Sequence, residues 1–93
     1  MDSIPDIPEP FLERIAALPL GYSEGLCDGR RYGITLRASA DGRRRWLFAE
    51  ELGGTDRISC NLYQPAGRAP LLRPCEMPAT KVIEFVLGLR VPA

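Results

Sequence analysis

Three glycine-bearing turn signals, Asp28-Gly29, Asp41-Gly42 and Gly53-Gly54, cut the middle of the chain into segments of strand length. Asp-Gly suits a tight hairpin because both central residues of a type I′ turn need positive φ. Residues 21–27 read as a weak first strand, loosened by Gly25. Residues 31–39 read as the clearest one, with Tyr32, Ile34, Leu36 and Ala38 alternating against Gly33, Thr35, Arg37 and Ser39. That period of two belongs to a strand with one face buried. Residues 45–50 have no clear phase, since Trp46, Leu47 and Phe48 are consecutive, and cover on both faces is expected there. Residues 57–63 put Ile58, Cys60 and Leu62 inward and Arg57, Ser59, Asn61 and Tyr63 outward. Short turns between successive strands predict an antiparallel meander.

Helical patterns flank the strands. Residues 1–8, with Pro5 and Pro8, read as an extended arm, and a helix is expected from about Glu9-Pro10 because proline is tolerated in the first helical turn. Phe11, Leu12, Ile15, Ala16 and Leu18 follow at helical spacing, and Pro19 and Gly21 stop the run. Residues 64–78 hold Pro65, Pro70, Pro74 and Pro78 and read as a long loop pinned by Leu71 and Leu72, since that proline density excludes a central strand or a helix. A closing helix is expected over about 78–90, with Val82, Phe85, Val86 and Leu89 as its apolar stripe. The expected fold is therefore α+β: one domain over residues 1–93, with a three- to four-stranded antiparallel meander between two helices in the order α-β-β-β-β-α.

Composition narrows the chemistry. The chain has no histidine, which removes imidazole acid–base catalysis, histidine-activated nucleophiles and histidine metal sites. Three widely spaced cysteines, Cys27, Cys60 and Cys75, form neither a disulfide framework nor a zinc pattern. The start Met-Asp-Ser-Ile-Pro lacks the basic and apolar regions of a signal peptide, and the apolar run 82–89 is broken by Glu84 and Gly88. A reducing cytoplasm is the expected location, with no membrane contact, no metal and no cofactor.

Charge is balanced overall but unevenly placed. Residues 1–28 carry six acids against Arg14 alone, and residues 29–45 carry six arginines against Asp41 alone. Internal compensation between the two segments is the expectation, and a partner surface is the alternative.

Two surfaces stand out as candidates. On the closing helix, Ile83 and Leu87 widen the apolar arc to roughly 200°, where a sheet contact needs a little over 100°. Cover of that flank by Leu71, Leu72 and the first helix is one expectation; if exposed, Ile83 and Leu87 would form a patch for a protein partner or for a homodimer, and a non-enzymatic interaction module is the leading expectation for function. The second surface is arginine-rich. Arg43, Arg44 and Arg45 precede Trp46, and the open face of the strands would add Arg37, Arg57 and Tyr63. Cations beside aromatics can hold phosphate while a base stacks, so nucleic acid is the alternative partner. A third reading is an enzyme built on Cys75, near Arg73 and a helix N-terminus, or on the carboxylates of Glu50, Glu51 and Asp56. No catalytic constellation supports it.

Overall fold

The computed structural model describes residues 7–92; most of the expected arm, residues 1–6, lies outside them. Helix α1 (Glu9–Ala17) leads into strands β1 (Gly21–Cys27), β2 (Arg30–Ala38), β3 (Arg44–Glu51), β4 (Arg57–Tyr63) and β5 (Leu71–Pro74), and helix α2 (Ala79–Gly88) follows. The strands form one sheet in sequence order, and every neighbouring pair is antiparallel. The α+β class, the meander and the two flanking helices are as the pattern predicts.

The strand count is five, because the segment expected to be a loop contains β5. Proline bars a segment from the middle of a sheet but not from its edge, where one side of the backbone needs no ladder partner. β5 pairs only with β4, from Tyr63–Leu71 to Cys60–Pro74. Pro70 stands just outside its first residue and Pro74 is its last. Leu72 enters the core, while Leu71 lies beside Tyr63 on the opposite face.

The turns follow their residues. Asp28 and Gly29 both have positive φ, 53° and 75°, as a type I′ turn requires. The second hairpin uses a longer loop, residues 39–43, in which Gly42 alone takes positive φ. There the Asp41 carboxylate accepts hydrogen bonds from Ser39 Oγ at 2.6 Å and from the Arg43 N–H at 3.0 Å. These bonds hold Asp41 below the usual carboxylate range.

Pairing across the strands sorts every side chain to one of two faces. One face carries Tyr32, Ile34, Leu36, Leu47, Ala49, Ile58, Cys60 and Leu62, all buried. Helix α2 lies against β4 and β5 on this side, and α1 packs on α2, adding Phe11 and Ile15 to the same core. The phase of β3 is thereby settled: Leu47 and Ala49 point toward the helices, and Trp46 and Phe48 point away. The expected cover on both sides of that strand is absent among the described residues. The run of three apolar residues instead reflects one core residue between two aromatics of the outer face.

After α2 the chain returns across the sheet to β1. Arg90 and Leu26 exchange two backbone hydrogen bonds of 2.8 Å, which protect the end of an otherwise open edge strand. Gly25 makes room for this crossing. A Cβ there would sit 2.8 Å from the Arg90 carbonyl oxygen and 3.1 Å from both Leu89 and Val91. The Arg14 guanidinium donates to the Leu89 carbonyl at 3.0 Å and so ties α1 to the end of α2. Gly25→Ala is expected to lower stability by about 1–3 kcal/mol in urea unfolding, because backbone must move to admit the methyl group. An unchanged midpoint would show that the crossing is not tightly packed.

Candidate functional site

The face turned away from the helices is set by strand alternation, and it gathers arginines around aromatic rings. One cross-strand row runs Arg37, Trp46, Asn61, Arg73 over β2 to β5. The next row toward the β2–β3 turn holds Arg44, Tyr63 and Leu71. The row on the other side holds Tyr22, Thr35, Phe48 and Ser59, and beyond it stand Glu24, Gly33, Glu50 and Arg57. Trp46 and Phe48 stack with ring centroids 6.0 Å apart and planes 7° from parallel. The Arg37 guanidinium carbon lies 5.6 Å from the Trp46 ring centroid, within cation–π range. Trp46, Phe48 and Tyr63 are half-buried, and Tyr22 is 62% exposed. Gly33 is what lets Tyr22 lie across the sheet, since a Cβ there would come 2.7 Å from the phenol oxygen.

The charges on this face are segregated. Near the β1–β2 turn, Glu24 accepts a hydrogen bond from Arg31 at 3.1 Å, and Glu50 stands opposite Arg57. Near the β2–β3 turn stand Arg37, Arg44 and Arg73, all exposed. Among the described residues, none of these three meets a carboxylate within 4.0 Å. That end of the face is a cationic rim around Trp46 and Tyr63.

Arg37, Arg44, Trp46, Arg57 and Tyr63, singled out from sequence, thus share one face. Arg45 does not belong to it. It points to the helix side, half-buried, and donates to Gln64 Oε1 at 2.9 Å and to the Gly42 carbonyl at 3.4 Å. Arg43 lies in the β2–β3 turn. Phe48, Arg73 and Tyr22 complete the face and escape the sequence reading, while Asn61 is outward as the alternation of residues 57–63 predicts. Phe48 was hidden by the uncertain phase of β3, and Arg73 by the proline density around β5.

The flank of α2 is largely covered, the outcome expected if the first helix packs on it. Ile83 is only 8% exposed and belongs to the core, and Leu87 packs partly buried against it. Helix α1 packs on α2, and among the described residues Ile83 and Leu87 form no exposed apolar patch.

The groups considered for catalysis are dispersed. Cys27 and Cys60 are buried and Cys75 is exposed. Burial raises both inner thiols, Cys60 to about 12, far from a nucleophilic thiolate. Glu50 and Glu51 face opposite sides of the sheet, as successive strand residues must. Among the described residues no group of three or more Cys, Asp or Glu could hold a metal ion, and no helix is long and apolar enough to cross a membrane.

Asp56 is occupied structurally, in a cleft of about 270 Å³ between the β1–β2 turn and α2. It accepts from the Tyr32 hydroxyl at 2.8 Å and from Lys81 Nζ at 2.7 Å, clamping the start of α2 to β2. The bond from Lys81, then that from Tyr32, holds Asp56 below the usual carboxylate range. Burial, reinforced by the bond to Asp56, pushes Tyr32 up to about 12.

Compared with protein-family models, with curated proteins and with solved structures, the chain matches none.

The clamp predicts a pH window. Asp56 has a lowered pKa, so its contribution is whole above about 3.9 and is lost as pH falls through the lower folded value. Tyr32 has a raised pKa, so its contribution is whole below about 10 and is lost as pH rises toward 12. Asp56→Asn is expected to cost about 1–3 kcal/mol near neutral pH and nothing extra below both carboxylate values. Urea unfolding of both proteins across pH checks this, and a constant gap down to the most acid pH would contradict it.

Proposed function

We propose that this chain is a small non-enzymatic binding module and that the open sheet face is its working surface. The observation that carries the reading is the combination of Arg37, Arg44 and Arg73 around a half-exposed Trp46. A face kept only for solubility would mix both signs of charge and hold few large aromatics. Here one end holds three exposed arginines that meet no carboxylate among the described residues, with aromatic surface between them. The absence of histidine, the raised thiols and the engaged Asp56 all weigh against an enzyme.

The charge pattern also selects the kind of partner. A second copy docking by the same face would bring arginines toward arginines in one orientation, which is repulsive, and turned end for end would set them against Glu24, already bonded to Arg31, and Glu50, which stands opposite Arg57. The reading therefore favours a different, anionic molecule over a symmetric homodimer. Three free thiols are in keeping with a reducing compartment such as the cytoplasm.

Trp46 is the sole tryptophan, so its emission reports directly on this surface. Titration with heparin at low ionic strength is expected to change that emission. The change should vanish in the Arg37→Gln/Arg44→Gln/Arg73→Gln variant. Emission unmoved by heparin and by every other polyanion tested would overturn the reading.

A further inference from the structure

We infer that the molecule recognised by this face is a single-stranded nucleic acid, bound by stacking of its bases on Trp46 and Tyr63 and by phosphate contacts to the rim. The inference rests on the binding-module reading and specifies its ligand. Charge alone would be satisfied by any polyanion, including an acidic peptide. A peptide of acidic residues alone offers carboxylates but no flat rings, and would leave the aromatic surface inside the rim exposed. A nucleic acid strand supplies anionic groups and flat rings in alternation along its length, which matches a surface where cations and aromatics alternate. Open antiparallel sheets bearing aromatics stack two or three bases of a single strand in this manner.

The spacing suits that ligand. Trp46 lies opposite Asn61, and Tyr63 lies opposite Arg44. The two aromatics are therefore diagonal neighbours on adjacent strands, about 7–8 Å apart at the backbone. Successive bases of an opened-out strand can reach both. Arg37 and Arg73 stand at the two ends of the Trp46 row, three strand gaps or about 14 Å apart. Arg44 closes the rim beside Tyr63. Asn61, between Trp46 and Arg73, offers an amide to a base edge.

A duplex fits poorly. Its bases are stacked on one another and present only edges. The five strands span four gaps, about 19 Å, too broad for a major groove about 12 Å wide.

Fluorescence anisotropy of a labelled, mixed-sequence 12-nucleotide single strand tests this, alongside its duplex, with unlabelled heparin and polyglutamate titrated against Trp46 emission. The expected result is single-strand binding at least tenfold tighter than duplex binding. The slope of log affinity against log salt should be about −2 for three phosphate contacts, falling to about −0.7 in Arg37→Gln/Arg44→Gln. Trp46→Ala should weaken binding about tenfold and Trp46→Phe should restore most of it, since stacking needs a ring rather than an indole. Equal binding of duplex and single strand would overturn the inference. So would a response to heparin or polyglutamate with no binding of the single strand, which leaves the binding-module reading standing. No response to any of the four probes would remove both.

Discussion

Two helices of 9 and 10 residues can cover only one face of a five-stranded sheet. Everything else in the molecule follows from that shortage of cover. The helix-side face is apolar at its centre, with Ser23, Arg45 and Glu51 toward its margins, and its largest apolar side chains are almost wholly inaccessible, so the core is complete with one layer of helix. The chain has no further element among the described residues to place on the opposite face. That face must therefore be compatible with water while still carrying the alternate residues of five strands. Charged and aromatic side chains meet this requirement, and their distribution then becomes informative.

The contacts outside the core reinforce the one-sided arrangement. Asp56 ties the start of α2 to β2 through Tyr32 and Lys81, and the Tyr32 ring meets Phe85 of α2 edge-on at 4.8 Å. At the other end of α2, Arg14 reaches the Leu89 carbonyl and Arg90 pairs with Leu26. Both ends of the closing helix are thus fastened to the sheet or to α1. The edges are guarded as well, by Arg90 on β1 and by the shortness and prolines of β5.

Much of this was legible from residue order. The Asp28-Gly29 turn and the alternation in β2 and β4 carry their structure locally, because turn chemistry and a period of two need no distant information. Three features were not legible, each for a tertiary reason. β5 exists because a neighbour accepts a proline-bounded segment at its edge, and local propensity says nothing about neighbours. The phase of Trp46, Leu47 and Phe48 depends on which face meets a helix. The fate of Ile83 and Leu87 depends on α1 packing on α2, a contact between opposite ends of the chain. The arginine and aromatic content of the candidate face was visible, but its completion by Phe48 and Arg73 needed the first two of these.

The central claim is that the arginines of the outer face are held for a ligand and not for the fold. Their side chains are exposed, and like charges near one another oppose folding slightly. The most direct test is the unfolding free energy, by urea at low ionic strength, of the Arg37→Gln/Arg44→Gln/Arg73→Gln protein against the parent. The account predicts a stability changed by no more than about 1 kcal/mol, because relief of repulsion between the arginines offsets the loss of the Arg37–Trp46 contact. A loss above about 2 kcal/mol would assign the arginines to the fold and contradict the account.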